Sequence, residues 1–302
     1  MLFVLVVLGA SIASANSVFI STTNLTNLLD QVAVYALLAI GELYVIVAGD
    51  IDLSNASVVA ASGTSYAAMA EHHGLVLAGV VALSIGIGIG VLNGVITVYG
   101  RIPSFITTLG TLTAVEGFVL LGSGGSPIYN VPGNFVHLGT GKWLTIPISV
   151  WIVLVCAVIA WYVLAQRPFG RHLYAVGGNR MAAEVSGISV ARVRITNFTI
   201  AGFLAALGGI IFASRIGSGN PTMGQNYELG AIAAVVIGGG DLMGGQGGVT
   251  GTLIGVGILG VIANGLNILG VSAFWQEIAV GVIIVAAVFL GRMTSGGERP
   301  PV

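Results

Sequence analysis

The chain has 302 residues, of which 56% are hydrophobic and 7% are charged, with a net charge of −1 at pH 7. A soluble domain carries about 25% charged residues, so this composition excludes a soluble globular protein, and no basic or aromatic patch suggests binding of nucleic acid. The 47 glycines are about twice the average share. Because small residues let transmembrane helices approach closely, the composition predicts a polytopic membrane protein.

Apolar segments along the chain predict about ten membrane crossings of ~20 residues each. We place them near residues 2–20, 32–49, 56–71, 75–98, 104–122, 146–165, 195–214, 228–240, 249–267 and 275–291. Residues 22–31 are predicted to form a separate interfacial stretch. No linker is long enough to separate domains, so residues 1–302 are predicted to form a single all-α transmembrane domain.

Two of these predicted crossings are short, and each lies beside a polar or glycine-rich segment. Residues 56–71 follow GDIDLSN, and residues 228–240 run into GGGDLMGGQGG. Non-helical backbone at membrane depth is tolerated only where it faces protein or water. The pattern therefore predicts broken or half helices at these two places.

The basic residues predict the orientation in the membrane. With a cytoplasmic N-terminus, eight are inside and two, Lys142 and Arg215, are outside. The eight are Arg101, Arg167, Arg171, Arg180, Arg192, Arg194, Arg292 and Arg299. This positive-inside bias predicts that both termini are cytoplasmic.

The segment 166–194 holds five of the ten basic residues and is predicted to be cytoplasmic. It contains a short helix candidate that begins after Asn179 as N-cap and ends at Gly187 in the C′ position. A solvated loop that only sets topology is one interpretation. The other is a rigid docking surface for a cytoplasmic partner.

Acidic residues surround the first predicted break. Asp52 is predicted to be the N-cap of a half-helix that begins at Leu53. Glu42 and Asp50 are eight residues apart, about two helical turns, and a carboxylate in a membrane protein usually faces a cavity or a partner. Each is therefore either a protonated acid or an internally paired one, and a role in the substrate path is open for both.

A glycine stripe in SIGIGIGVLNG places Gly86, Gly90 and Gly94 on one helix face. No strand precedes these glycines, so a nucleotide-binding loop is disfavoured. Small residues at every fourth position favour close helix packing instead.

Several motifs together resemble the permease subunits of ribose-type bacterial ABC importers. GDIDLSNAS is similar to their GGIDLSVGS, and RIPSFITTLGT, YELGAIAAVVIGG and NGLNILGVSAFWQ also match, so the resemblance runs from Asn24 to Leu290. It implies a type II importer fold and a permease in the bacterial inner membrane. It also implies a second permease subunit, identical or paralogous, a cytoplasmic ABC ATPase, and an extracytoplasmic sugar-binding protein that delivers a monosaccharide.

The chain departs from that family at charged positions. Glu42 stands where methionine is usual, Asp50 where glycine is usual and Glu116 where arginine is usual. In the coupling helix, GGNRMAAE replaces GGNEEAAR, which changes the charges that would face an ATPase.

Two sets of candidate residues follow. The predicted substrate path comprises Glu42, Asp50, Asp52, Ser54, Asn93, Thr107, Thr108, Glu116, Asn264 and Asn267. The predicted coupling set comprises Arg167, Arg171, Gly177, Gly178, Asn179, Arg180, Glu184 and Gly187. Buried hydrogen bonds between helices are the alternative for the asparagines and threonines.

The chain lacks a G-x-x-x-x-G-K-[ST] motif, since its only lysine lies in HLGTGKW. We therefore expect a transport subunit without enzymatic activity, cofactor or metal, driven by an ATPase on another chain. The alternative is a proton-coupled secondary transporter that uses Glu42, Asp50 or Glu116 as proton carriers.

Overall fold

The structure is a computed structural model that describes residues 1–272 and, beyond them, residues 274, 275, 278, 279, 281, 282 and 285. The described part is almost entirely helical. Its helices are α1 (Leu2–Ala15), α2 (Thr22–Val47), α3 (Asn55–Tyr99), α4 (Ser104–Ser123), α5 (His137–Thr140), α6 (Ile148–Gln166), α7 (Pro168–Gly178), α8 (Arg180–Val185), α9 (Val190–Ile216), α10 (Tyr227–Ile237) and α11 (Val249–Ile268). A small antiparallel hairpin, β1 (Lys142–Trp143) and β2 (Ile146–Pro147), precedes α6.

Six of these helices are long and apolar enough to cross a membrane: α2, α3, α4, α6, α9 and α11. The all-α membrane fold is thus confirmed, whereas the number of ten crossings stays a prediction. The last predicted crossing, at 275–291, lies largely outside the described residues.

Helix α3 contains two of the predicted crossings. Its 45 residues would extend ~68 Å as a straight helix, about twice the hydrocarbon thickness of a bilayer. Gly74 interrupts the helical backbone with φ 75° and ψ 161°. The Asn93 Nδ2 atom donates to Ser54 Oγ at 2.8 Å, although the two residues are 39 positions apart. Helix α3 therefore folds back on itself, and its arms correspond to predicted crossings 56–71 and 75–98.

The bounds near the N-terminus differ from the prediction. Helix α1 ends at Ala15 instead of continuing to residue 20, because Asn16 has an extended backbone and its side chain accepts from the Val18 amide. The predicted interfacial stretch 22–31 is not separate. It forms the first turns of α2, whose start is capped by a hydrogen bond from the Asn24 amide to Ser21 Oγ.

Helix α10 has only 11 residues, or ~16 Å, which is too short to cross a bilayer alone. It ends at the glycine-rich segment 238–248. The predicted short helix beside this segment is therefore present, with bounds Tyr227–Ile237.

The second arm of α3 packs closely on α9, as the glycine stripe predicts. A Cβ at Gly86 would overlap the Gly202 carbonyl oxygen, and a Cβ at Gly90 would overlap that of Phe198. A Cβ at Gly94 would lie 2.7 Å from Ile195 Cα. Helix packing as the role of this stripe is confirmed.

We expect Gly90→Ala to lower the melting temperature of the purified protein in detergent. The added methyl group forces α3 away from the α9 backbone, and such overpacking costs about 1–3 kcal/mol. Gly88→Ala is the matched control on the same helix, because a Cβ there meets nothing within 4 Å. Equal melting temperatures for the two variants would contradict the packing role.

The loops gather at two ends of the helix bundle. At one end, the Gly245 amide donates to the Val47 carbonyl oxygen at 2.9 Å, so segment 238–248 lies against the end of α2. At the other end, Ile128 and Gly219 exchange backbone hydrogen bonds of 2.8 and 2.9 Å. Loops predicted to share a side of the membrane therefore lie together. That the first end is cytoplasmic stays a prediction.

Candidate functional site

The break between α2 and α3 begins at Gly49, whose φ of 74° favours glycine. Helix α3 starts at Asn55 and not at Leu53 as predicted, with Ser54 in the N-cap position. The Leu53 amide donates instead to Thr108 Oγ1 at 3.1 Å. Asp52 Oδ1 accepts from the Ser54 amide at 2.9 Å and from Ser54 Oγ at 2.6 Å. Because these donors are satisfied outside a helix, Asp52 stabilises the loop before α3 and is not its N-cap.

A buried hydrogen-bond network fills this break. Glu42, which is fully buried, accepts from the Asp52 amide at 3.1 Å through Oε1 and from Asn55 Nδ2 at 2.8 Å through Oε2. Asn93 donates to Ser54 Oγ and accepts from Thr111 Oγ1 at 2.6 Å. Glu42, Asp52, Ser54 and Asn93 of the predicted substrate path are therefore engaged with one another across α2, α3 and α4.

The other amides and hydroxyls of the predicted path lie in different environments. Asn264 exchanges side-chain hydrogen bonds with Asn24 at 2.9 and 3.0 Å, which joins α11 to α2. Thr108 Oγ1 donates to the Ser104 carbonyl oxygen at 2.9 Å. The Thr107 hydroxyl is buried without a partner among the described residues, and Asn267 is exposed.

Asp50 holds two arginines from the predicted cytoplasmic segment. Arg194 binds its carboxylate in a bidentate manner, with Nε 2.7 Å from Oδ2 and Nη2 2.6 Å from Oδ1. Arg180 Nη2 lies 3.1 Å from Oδ1 and also donates to the Gly49 carbonyl oxygen at 2.8 Å. The side chain of Asp50 is 3% exposed, that of Arg194 13% and that of Arg180 43%. Both oxygens of this carboxylate are thus occupied by cations. We call Asp50, Arg180 and Arg194 the ionic clasp.

The clasp fixes helix α8 to the end of α2. Asn179 caps α8 by accepting from the Ala182 amide at 3.0 Å, and Gly187 follows the helix with φ 84°. The predicted capped helix is therefore present at Arg180–Val185. Arg180 is its first residue, and its guanidinium also donates to the Ala48 carbonyl oxygen at 3.2 Å, one of the carbonyl groups that the end of α2 leaves free.

Helix α7, which precedes α8, packs on the same end of α2. A Cβ at Gly177 would overlap the Val47 carbonyl oxygen. The Tyr174 hydroxyl donates to the Gly247 carbonyl oxygen at 2.8 Å. Helix α7 therefore contacts both α2 and segment 238–248.

The remaining residues of the predicted coupling set lie nearer the surface. Arg167 lies over the Tyr162 ring, with 5.0 Å between the guanidinium carbon and the ring centroid. Arg171, Gly178 and Glu184 are exposed. These side chains are accessible to another protein.

Glu116 lines a cavity of about 240 Å³ between α3, α4 and the start of α10. Gln225 Nε2 donates to Glu116 Oε1 at 3.1 Å. Ser57, Asn226 and Glu228 also line this cavity, and Glu228 Oε2 is buried without a partner among the described residues. We call this space the carboxylate cavity. It offers several polar groups that a polyhydroxylated molecule could bind.

Sequence reasoning did not select Arg194, Gln225 or Glu228 individually as site residues. Arg194 is one of five basic residues in its segment, and only the fold shows that it reaches Asp50, 144 positions away. Glu228 is the second residue of α10 and the only acid in YELGAIAAVVIGG. This isolated acid in an apolar segment was a signal that could have identified it.

Comparisons with known proteins identify the family of this chain and several relatives. Residues 24–288 match the family described as branched-chain amino acid transport system / permease component. The ribose import permease protein of Bacillus subtilis is 43% identical over 297 residues, which cover 97% of this chain and 91% of that protein. The ribose import permease protein of Haemophilus influenzae is 42% identical over 289 residues, which cover 94% of this chain and 90% of that protein.

A third relative is named for a different sugar. The L-arabinose transport system permease protein of Escherichia coli is 35% identical over 307 residues, which cover 99% of this chain and 92% of that protein. No solved structure matches the chain. The family match and these identities extend over nearly the whole chain, and the chain therefore belongs to the branched-chain amino acid transport system / permease component family.

Proposed function

We propose that this chain is the membrane-spanning subunit of an ATP-driven importer that carries a monosaccharide across the bacterial inner membrane. The observation that supports this most directly is the attachment of a capped helix, α8, to the end of α2 by the ionic clasp. An ATPase on another chain can move membrane helices only through a rigid segment. Helix α8 supplies one, because its cap, its clasp and the packing of α7 join it to the bundle.

The full assembly contains further chains. A second permease subunit, identical or paralogous, completes the transmembrane path. A cytoplasmic ABC ATPase binds α8 and the exposed side chains of Arg171 and Glu184. An extracytoplasmic sugar-binding protein delivers the substrate. The relatives named for ribose and L-arabinose favour a pentose.

We place the sugar in the carboxylate cavity and not in the network around the break. The network residues already bind one another, whereas Glu228 Oε2 has no partner among the described residues and Glu116 has one. Carboxylate oxygens accept hydrogen bonds from hydroxyl groups. A volume of about 240 Å³ is below the ~300–1,000 Å³ of sites for drug-sized ligands, which suits a small sugar.

Asp50 belongs in this proposal to the coupling apparatus. Its carboxylate is buried, and both of its oxygens already accept hydrogen bonds from arginines. Glu42 and Asp52 stabilise the break that positions Asp50 beside α8.

Reconstitution in proteoliposomes tests the function. The permease would be combined with the ATPase and the soluble sugar-binding protein from the same organism, and uptake of labelled ribose and L-arabinose would be followed. We expect uptake that requires ATP hydrolysis and the binding protein. Uptake by the permease alone under a proton gradient would contradict the proposal.

We expect Glu228→Gln to raise the KM for sugar uptake about tenfold, since the substrate loses one charge-assisted hydrogen bond of ~1.5–3 kcal/mol. Basal ATP hydrolysis by the complex should not change. Glu71→Gln is the matched control, because Glu71 is an exposed acid outside the carboxylate cavity. An unchanged KM in Glu228→Gln would remove this residue from the substrate path.

A further inference from the structure

A second polar cavity lies at the opposite end of the bundle from the ionic clasp. Its volume is about 360 Å³, and it is formed by the first turns of α2, the end of α5 with Lys142 after it, and the end of α9. Lys142 and Arg215 both line it, together with Thr22, Thr23 and Asp30. We call it the outer cavity, since the basic residues predict that this end faces away from the cytoplasm.

The two cations of the outer cavity are 73 positions apart in the chain, yet they are the two basic residues that the orientation prediction places outside. Neither side chain makes an ion pair or a hydrogen bond with any residue that the structure describes. Arg215 is only partly exposed. Because unpaired cations in a concave surface create a local positive potential, they attract an anionic group.

The start of α2 also lies at the outer cavity. The Thr22 and Thr23 amides belong to the first turn of α2, and neither has an acceptor among the described residues. They lie at the positive end of a 26-residue helix, where backbone N–H groups favour a negative charge. Guanidinium, ammonium and amide donors therefore come from three separate segments of the chain.

One acid limits what this cavity accepts. Asp30 faces the outer cavity, and its Oδ1 accepts from Ser149 Oγ at 2.7 Å. A dianion such as phosphate would be repelled by this carboxylate, so a singly charged carboxylate matches the two cations and one acid better. A neutral sugar has no charge that would pair with the two cations at this end.

We propose that the outer cavity is the seat for an acidic side chain of the extracytoplasmic sugar-binding protein. This rests on the proposed function, since only an importer of that kind has such a partner. Arg215 pairs with the carboxylate of the partner. Lys142 and the α2 amides donate further hydrogen bonds to that carboxylate. Asp30 lowers the affinity, so that the partner dissociates after delivery.

The test uses the assembled importer in neutral-lipid nanodiscs. It measures how tightly this importer binds the sugar-binding protein that supports its uptake activity. The double variant Lys142→Gln with Arg215→Gln is expected to weaken binding at least about tenfold and to flatten its dependence on salt. Arg101→Gln, which removes an exposed cation that does not line this cavity, should bind like the unmodified protein. Asp30→Asn keeps an oxygen for Ser149 and should tighten binding severalfold. Distortion of this region would not produce that gain.

Each contrary result is distinct. Normal import with unchanged affinity in the double variant would overturn the seat and leave the proposed function standing. Failure of the unmodified importer to bind or use the sugar-binding protein would overturn both. Binding of millimolar inorganic phosphate that depends on Lys142 and Arg215, while the sugar-binding protein binds the double variant normally, would show a free-anion site instead. If these two residues were needed only for binding of anionic lipid, the cavity would be a site for a lipid headgroup. That result would also overturn the proposal.

Discussion

Asp50→Asn is expected to lower the free energy of unfolding by about 3 kcal/mol or more and to abolish coupled uptake. Asp50 is 3% exposed and is the acid that Arg194 binds. Removing one partner of a buried ion pair leaves the other charge uncompensated, which is what makes the loss large. The exposed guanidinium of Arg180 can return to water at little cost, so the penalty comes mainly from Arg194.

A double-mutant cycle separates this effect from general damage at the break. If the penalty is the unpaired Arg194 charge, then Asp50→Asn combined with Arg194→Gln should be less destabilised than the sum of the single variants. Residues in direct contact typically give interaction energies of 0.5–3 kcal/mol. The measurement is unfolding of each purified variant in the same detergent. Strict additivity would contradict the ionic clasp.

The contacts of the ionic clasp could not be predicted from the sequence. Asp50 was marked by its position after an apolar segment, and Arg180 by its position at the start of a capped helix. Neither pattern predicts that Asp50 and Arg180 are in contact. The two residues are 130 positions apart, and their contact depends on how α2 and α8 pack. From sequence alone, Asp50 is a substrate-path candidate and Arg180 a coupling candidate, whereas the fold places them in one cluster.

Local features were predicted more accurately. The N-cap at Asn179, the positive φ of Gly187 and the packing face of Gly86 and Gly90 each depend on neighbouring residues or on one helical period. The start of α2 was misplaced, because the polar segment 22–31 favours an interfacial stretch by hydropathy while Ser21 caps a continuous helix. Hydropathy alone does not show where a transmembrane helix extends beyond the bilayer.

Long-range pairs could not be inferred at all. The carboxylate cavity joins Glu116 to Gln225, and the outer cavity joins Lys142 to Arg215. The orientation prediction gave Lys142 and Arg215 the same side of the membrane, but their shared cavity appears only when α2, α5 and α9 are assembled.

Gly187→Val is expected to abolish substrate-stimulated ATP hydrolysis by the reconstituted complex while the permease still inserts and assembles. With φ 84°, this position disfavours a β-branched residue, at a cost of about 1–3 kcal/mol. A Cβ there meets nothing within 4 Å, so the strain is in the backbone. It acts on the hydrogen bonds that close α8, from the Gly187 amide to Glu184 and from the Ile188 amide to Ala183.

The matched control for this variant is Gly124→Val at the end of α4. Gly124 also has a positive φ, 62°, and open space around a Cβ, so the valine imposes similar strain far from α8 in the chain. If α8 transmits the movement of an ATPase, Gly124→Val should lose a comparable amount of stability yet retain stimulated hydrolysis. Equal loss of hydrolysis in both variants would indicate general destabilisation. Normal stimulated hydrolysis in Gly187→Val would reduce segment 166–194 to a signal for membrane topology, because α8 would then be unwound without any effect on coupling.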